Sequence, residues 1–307
     1  MRVILAGATG AIGRPLIRQL KGAGHAVFGL ARSPESARAL SDAGAGAVTA
    51  DVLNAAAVRA AIARIRPDAV INELTALPAH YTEAEMTAAA PRDHKVRTEG
   101  NANLLAAISE GGVRRYILQS SGFWYAPGAG LADELEQFAF NATPAIAAGT
   151  RTYAELESWA SQNPGIEFVA LRYGFFYGPG TWYCSEGDMG DQVRRQLVPM
   201  IGKGQGVWSW IHIEDAAAAT VAALECAPGA YNIVDSDPAP HHVCLPAFAR
   251  AVGAVEPPRI TEQLALDSFG ADQVYYATQL RGASNAKAIR ELHFQPRPLE
   301  WLQPTRK

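Results

Sequence analysis

The first 120 residues alternate between two spacings of hydrophobic positions. Short apolar runs bounded by turn residues predict buried parallel strands at Val3–Ala6, Ala26–Leu30, Ala47–Ala50, Ala69–Asn72 and Tyr116–Gln119. Between them, apolar residues at helical spacing predict helices near Arg14–Gly22, Pro34–Ala43, Ala55–Ile65 and His94–Ser109. Because strand–helix–strand repeats pair in parallel through right-handed crossovers, the pattern predicts a doubly wound α/β sheet that binds ligands at the carboxyl ends of its strands.

The second half of the chain returns to this pattern only in part. A helix near Thr152–Ser161 leads to a sixth strand at Phe168–Tyr173, and a helix at Glu214–Glu225 leads to a strand at Tyr231–Val234. Elsewhere glycine, proline and aromatic residues cluster, and the tail holds two or three predicted helices. We therefore predict a Rossmann-type domain of residues 1–173 plus 212–235, with a smaller, interleaved substrate lobe of residues 174–211 plus 236–307.

A glycine-rich turn joins the first predicted strand to the first helix. Gly7, Gly10 and Gly13 are spaced as G-x-x-G-x-x-G, which gives a tight turn, room for a pyrophosphate beside the backbone, and close packing of the helix. The start of that helix would also present free amides and a positive dipole end. The turn therefore predicts a dinucleotide site that is formed by Gly7, Thr9, Gly10, Ala11, Ile12 and Gly13.

The residues after the second strand favour one nicotinamide dinucleotide over the other. A carboxylate there would hold the ribose 2′-hydroxyl of NAD, but this chain has Ala31 followed by Arg32 and Ser33. A guanidinium suits a 2′-phosphate, and the Ser33 hydroxyl would add a second donor. We therefore predict NADP as the cofactor, with NAD as the alternative if Arg32 is only a solvated surface residue.

The ends of the other strands supply the remaining predicted cofactor contacts. Asp51 and Val52 follow the third strand and are placed near the adenine edge, although Asp51 could equally cap a helix. Since doubly wound sheets bind ligands at the carboxyl ends of their strands, the set is completed by Leu74, Thr75, Ser120 and Tyr173.

Several further segments after the glycine turn have the order and the residue types of one known family. They are residues 103–107, Ser120-Ser121, and residues 171–180, 211–217, 231–233, 284–287 and 290–296. Together with the opening turn, they resemble the extended short-chain dehydrogenase/reductases, the group that includes the NAD-dependent epimerases and dehydratases of nucleotide sugars. The resemblance covers nearly the whole chain. It implies a Rossmann fold, a nicotinamide cofactor and a catalytic triad of Ser or Thr, Tyr and Lys, with Tyr-x-x-x-Lys on the helix before the sixth strand.

The sequence departs from that catalytic pattern. No tyrosine has a lysine four positions later, and the nearest candidate, Tyr153, has Glu157 in the place of the lysine. A carboxylate there would raise the pKa of the tyrosine. We still predict Tyr153 as a general acid, with packing of its ring on the sheet as the alternative. Ser121 matches the catalytic hydroxyl, with Ser120 as its neighbouring alternative, and Tyr125 is a rival to Tyr153.

Composition and charge narrow the choice of partner. The 307 residues carry a net charge of −3 with both signs spread along the chain, so we expect neither a nucleic acid nor a membrane surface as partner. The three cysteines lack metal-ligand spacing, and no metal site is predicted. Without a signal peptide or an apolar run of membrane-spanning length, the sequence indicates a cytoplasmic protein. A homodimer is left open.

Aromatic residues after the sixth strand indicate the kind of substrate. A pocket suited to a ring or an apolar molecule would be lined by Tyr177, Trp182, Tyr183, Trp208 and Trp210, with core packing as the alternative. We predict an NAD(P)-dependent oxidoreductase or epimerase that acts on a small carbonyl, hydroxyl or sugar-like substrate. Because the lysine is missing, a non-catalytic NADP-binding redox sensor is the alternative. An isomerase or lyase that uses the cofactor transiently is a third hypothesis.

Overall fold

The computed structural model describes residues 1–163 and 165–303, which form thirteen strands, ten α-helices and one short 3₁₀ segment. The strands are β1 (Arg2–Ala6), β2 (Ala26–Ala31), β3 (Gly46–Thr49), β4 (Ala69–Asn72), β5 (Arg115–Ser121), β6 (Glu167–Tyr173), β7 (Phe175–Tyr177), β8 (Met200–Ile201), β9 (Val207–Trp208), β10 (Trp210–His212), β11 (Gly229–Ile233), β12 (Ala239–Pro240) and β13 (Arg259–Ile260). The helices are α1 (Gly13–Gly22), α2 (Pro34–Asp42), α3 (Ala55–Ile65), α4 (Glu83–Glu110), α5 (Pro144–Ser161), α6 (Asp188–Arg194), α7 (Ile213–Ala222), α8 (His241–Ala251), α9 (Glu262–Thr278) and α10 (Ala286–Leu292).

Seven strands form one parallel sheet in the order β3-β2-β1-β4-β5-β6-β11. The register pairs Ala6 of β1 with Asn72 of β4, and Ser121 of β5 with Tyr173 of β6. The carboxyl ends of β1, β4, β5 and β6 therefore lie side by side at one edge. The prediction of a doubly wound Rossmann-type sheet is confirmed.

Two of the predicted helices are longer than the sequence pattern indicated. Helix α4 begins at Glu83, well before the predicted start at His94. The Thr82 hydroxyl caps its first turn, and Pro91 lies inside it. Proline usually ends a helix, and the residues around it carry little apolar periodicity, so this extension was missed. Helix α5 begins at Pro144 instead of Thr152, with proline in the first turn, where its absent N–H is harmless.

Alternating side chains of the sheet build two apolar layers. Val3 and Leu5 of β1 face a cluster that includes α1 and α7, while Ile4 faces a cluster that includes α3, α4 and α5. A third apolar cluster lies beyond the strand ends and includes Trp210 and Phe248. Its members come mostly from the segments predicted as the substrate lobe, but the exact division of the chain remains a prediction. Within the described residues, no helix is both long and apolar enough to cross a bilayer.

Candidate functional site

The turn after β1 depends on two glycines for its shape and on a third for open space. Gly7 has a φ of +87°, and a Cβ there would lie 2.4 Å from the carbonyl oxygen of Glu73. A Cβ on Gly13 would lie 2.1 Å from the carbonyl oxygen of Ala8. A Cβ on Gly10 would meet only the Gly7 carbonyl oxygen, at 3.2 Å. The fold therefore requires Gly7 and Gly13, whereas the space beside Gly10 is open to a ligand.

The start of α1 has the donors that a diphosphate needs. The amides of Gly10 and Gly13 donate within the turn, but those of Ala11 and Ile12 donate to no acceptor among the described residues. No side chain caps the helix, and its first turn carries no acidic residue. An anion with several oxygens would satisfy these amides and interact favourably with the helix dipole. The residues present thus fit the pyrophosphate of a dinucleotide.

At the end of β2, Arg32 is exposed and forms no ion pair or hydrogen bond within the part of the chain described. Its guanidinium is therefore free to meet a phosphate. The Ser33 hydroxyl is already engaged, because it caps α2 by accepting a hydrogen bond from the amide of Ser36 at 3.2 Å. Arg32 and Ser33 both remain predictions as cofactor contacts.

The adenine-side residues after β3 have ordinary structural partners. Asp51 is exposed and accepts a hydrogen bond from the amide of Leu53 at 3.0 Å, whereas Asn54, not Asp51, caps α3. Val52 is buried against Gly100 of α4. The contact of Asp51 and Val52 with the adenine stays a prediction.

A cavity of about 1340 Å³ opens from the phosphate turn across the ends of β4, β5 and β6. Seven of the predicted cofactor or catalytic residues line it, namely Gly10, Ala11, Ile12, Thr75, Ser120, Tyr153 and Tyr173. Leu74 lies beside them, and its amide donates to Asn72 Oδ1 at 3.1 Å. The structure thus brings the phosphate turn and the predicted acid into one cavity.

Tyr153 lies on α5 at the wall of this cavity and is 9 % exposed. Burial raises the pKa of its phenol, and the positive charge of Arg97 partly offsets that rise. The Arg97 guanidinium carbon lies 5.2 Å from the centre of the Tyr153 ring, and its Nε donates to Asp93 Oδ2 at 2.6 Å. The tyrosine therefore has a cation beside it that no spacing rule within one helix would reveal.

Glu157 does not face the predicted phosphates. It accepts hydrogen bonds from Arg172 Nε at 3.0 Å and Nη2 at 2.7 Å, and from Ser120 Oγ at 2.5 Å. Both charged side chains are largely buried, with exposures of 9 % for Arg172 and 13 % for Glu157. The residue in the place of the lysine is thus one half of a buried ion pair between α5 and β6.

The hydroxyls predicted at or near the catalytic position separate in the structure. Ser120 lines the cavity, while Ser121 points to the opposite face of β5, as consecutive strand residues do. The Ser121 Oγ is buried and has no hydrogen-bond partner among the described residues. Tyr125 lies outside the cavity lining, where its hydroxyl donates to Asn232 Oδ1 at 2.6 Å. Ser121 as the catalytic hydroxyl stays a prediction, and the structure places Tyr125 away from the cavity.

The predicted aromatic lining divides between two cavities and the core. Trp182 and Tyr183 line the main cavity, whereas Trp208 and Trp210 line a neighbouring cavity of about 600 Å³. Tyr177 is 1 % exposed and packs against Trp301, so it belongs to the core. Six further aromatic residues of the main cavity were not predicted as part of its lining: Tyr81, Phe123, Trp124, Phe175, Phe176 and Tyr276.

Comparison with known proteins identifies this arrangement. The family model described as "NAD dependent epimerase/dehydratase family" matches residues 3–234, which include the whole glycine turn and, apart from Arg2 of β1, all strands of the central sheet. The chain belongs to this family. The family's dependence on a nicotinamide dinucleotide agrees with the predicted cofactor class. The family and the relatives named as reductases assign the chain to the NAD(P)-dependent oxidoreductases.

Among curated relatives, a 3-diazoavenalumate denitrifying reductase from Streptomyces sp. is 37% identical over 308 residues, covering 98% of both chains. A 2-alkyl-3-oxoalkanoate reductase from Stenotrophomonas maltophilia is 27% identical, covering 86% of this chain and 78% of the relative. Both relatives are named as reductases.

Solved structures agree on the fold. The UDP-glucose 4-epimerase of Thermotoga maritima, with UDP-glucose, has a TM-score of 0.75 at 18% identity and covers 98% of this chain and 96% of that one. The Thermus thermophilus UDP-glucose 4-epimerase, in complex with NAD, has a TM-score of 0.71 at 21% identity and covers 97% and 94%.

A buried carboxyl group lines the main cavity. Glu73 follows β4, is 4 % exposed, and accepts a hydrogen bond from the Tyr173 hydroxyl at 3.0 Å. Its other oxygen, Oε2, is buried without a partner among the described residues. Burial raises the pKa of the Glu73 carboxyl to about 8, so the group is protonated at neutral pH. An acidic residue directly after a strand end was the only sequence signal for it.

We expect Glu73→Gln to remove a pH dependence of folding stability. In the unfolded chain this carboxyl ionises near its ordinary pKa of 4.5, whereas the folded protein holds the proton until about pH 8. Between these values the native state binds more protons, so the wild type loses stability as pH rises. The stability advantage of Glu73→Gln should therefore grow from pH 5 to pH 8 by roughly 2–4 kcal/mol and then level off.

Chemical denaturation at several pH values measures this difference. Glu155→Gln is the matched control, since Glu155 is exposed on α5. Parallel stability curves for the wild type and Glu73→Gln between pH 5 and pH 8 would show that Glu73 is ionised in the folded protein and refute the prediction.

Proposed function

We propose that the protein is an NADPH-dependent reductase of a small, flat substrate, with a diazo compound as the favoured substrate class. The observation that carries this proposal is the 37% identity, over 98% of both chains, with a relative named as a denitrifying reductase of 3-diazoavenalumate. The cavity supports it, because its lining includes Phe123 and Trp124, aromatic side chains against which a flat substrate can pack. Phe175 supports this wall, since it stacks between Phe123 and Trp208 with ring centroids 4.2 Å and 4.4 Å away.

The chemistry of such a substrate fits a site without the family's lysine. A bound cofactor would supply a hydride. On an aryl diazonium cation, the hydride would form a C–H bond at the carbon that bears nitrogen, and the C–N bond would break with its electron pair going to N₂. A neutral diazo carbon would take up one proton from water besides the hydride. In neither case does a substrate oxygen have to be protonated. The aromatic wall would orient the ring, and the apolar lining would exclude water from the reacting carbon.

A ketone is the second candidate, because Tyr153 is a phenol beside a cation in the same cavity. The oxygen of a reduced ketone needs a proton, which the Tyr153 hydroxyl would donate. The relative named as a 2-alkyl-3-oxoalkanoate reductase supports this class at lower identity.

Turnover with two matched substrates tests the proposal. The purified protein is given NADPH with an aryl diazonium salt or with an aryl ketone of similar ring size, and NADPH absorbance and N₂ release are followed. We expect NADPH consumption with the diazonium salt and one N₂ for each NADPH, with little loss of rate in Tyr153→Phe. Ketone reduction that fails in Tyr153→Phe would support the second candidate. Binding of NADPH without oxidation by either compound would favour the redox sensor.

The preference for NADP over NAD is part of this proposal and rests on Arg32. We expect Arg32→Ala to weaken NADPH binding about tenfold or more, because a charge-assisted phosphate contact is lost, and to change NADH binding little. Titration of both dinucleotides against both proteins measures this. Arg64→Ala is the control, since Arg64 is also exposed but lies in the last turn of α3, outside the loop that follows β2. Equal losses for NADPH and NADH would discard the NADP assignment.

A further inference from the structure

Arg97 is a buried cation with unused donors. Its side chain is 10 % exposed, and its Nε is held by Asp93 at 2.6 Å. Apart from the neighbouring Tyr153 phenol, the Nη groups have no hydrogen-bond acceptor within the described residues, and neither is sealed from the cavity that Arg97 lines. Arg172 differs, because its Nε and both its Nη groups all donate to protein oxygens. A ligand that displaces water from this cavity would have to supply acceptors for these donors, because a guanidinium that loses water without gaining acceptors is costly. The free donors therefore point to a ligand with oxygens at this place.

The place of Arg97 in the sheet indicates which part of a ligand it would meet. In doubly wound sheets a dinucleotide lies across the strand ends, and here the 2′-side residue Arg32 follows β2 at one side of β1. Arg97 lies at the other side, in one cavity with Thr75 after β4, Ser120 of β5 and Tyr173 of β6. This is the half of the site that a nicotinamide and its ribose would occupy.

We propose that Arg97 of α4 binds the oxygens of the nicotinamide-side ribose and phosphate, and so takes the place of the lysine that α5 lacks. Its planar fork can donate to two neighbouring oxygens, and Asp93 and the face of Tyr153 fix its orientation. The positive charge also lies against Tyr153, as the charge of a lysine on α5 would. The proposal depends on dinucleotide binding but not on the substrate.

Binding of two ligands tests it without any turnover. NADPH carries the nicotinamide half, whereas adenosine 2′,5′-bisphosphate carries only the adenine-side ribose and phosphates. We expect Arg97→Met to weaken NADPH binding about tenfold or more and to leave bisphosphate binding within about twofold. Arg97→Gln, which keeps a donor for Asp93, should show the same pattern and covers the case that Arg97→Met does not fold. Arg92→Met, on the same helix but outside the cavity lining, should bind both ligands as the wild type does.

Three results would overturn the proposal. They are unchanged NADPH affinity in both Arg97 variants, equal weakening of NADPH and the bisphosphate, and a loss in Arg92→Met as large as that in Arg97→Met. Unchanged NADPH affinity in both variants would indicate that Arg97 binds an anionic group of the substrate instead. A wild type that binds NADPH but reduces nothing would contradict the proposed reductase activity while leaving this test intact.

Discussion

Replacing Gly10 by alanine is expected to abolish most cofactor affinity while leaving the fold intact. The added methyl group would meet only the Gly7 carbonyl oxygen, at 3.2 Å, so the turn needs a shift of a few tenths of an ångström at most. It would, however, occupy the space in which a pyrophosphate approaches the free amides of Ala11 and Ile12. Loss of two amide–phosphate hydrogen bonds corresponds to about 3 kcal/mol, or about a hundredfold in the dissociation constant for NADPH.

Two other glycines of the same segment make this result specific. Gly22→Ala, in the last turn of α1, meets no atom within 4 Å, so NADPH affinity and thermal stability should match those of the wild type. Gly13→Ala places its methyl group 2.1 Å from a backbone oxygen, so the melting temperature should fall sharply. NADPH binding by Gly10→Ala with wild-type affinity would mean that the pyrophosphate lies elsewhere.

Glu157→Gln is expected to cause a large loss of folding stability. The change leaves the Arg172 guanidinium buried without its carboxylate and weakens the hydrogen bond from Ser120. Removing one partner of a buried ion pair costs about 3–5 kcal/mol, because the other charge stays out of water without compensation. Urea unfolding measures the loss, and Glu155→Gln, exposed on the same helix, should change stability by less than about 0.5 kcal/mol.

A double variant separates the pair from its surroundings. Glu157→Gln with Arg172→Met removes both charges, so its loss of stability should be smaller than the sum of the two single losses. Simple additivity would mean that the two side chains do not stabilise each other. A stability loss below about 1 kcal/mol in Glu157→Gln alone would place Glu157 in the class of solvated surface charges.

The sequence predicted those features of the fold that depend on local pattern. The strands β1, β2, β4 and β6 and the glycine turn follow from runs and spacings within ten or fifteen residues, and the structure has them where they were expected. The predicted start of α4 was wrong, because it assumed that a proline ends a helix, whereas Pro91 lies inside this one.

The candidate site was less predictable, because its chemistry depends on contacts between distant segments. Arg97 meets Tyr153 across 56 positions (153 − 97), and Glu73 meets Tyr173 across 100, so no spacing motif records either pair. From the sequence, Glu157 was expected to raise the pKa of Tyr153, yet in the structure it forms an ion pair with Arg172 of β6. A resemblance to the family could identify the missing lysine but not the cation that lies beside the tyrosine instead.

Calorimetric titration of the unmodified protein with NADPH, and separately with NADH, tests the dinucleotide site on which the other predictions depend. We expect one NADPH per chain, bound more tightly than NADH, with both heats lost in Gly10→Ala. If the folded wild type takes up neither dinucleotide, the glycine turn is only a structural corner and the reductase assignment is wrong.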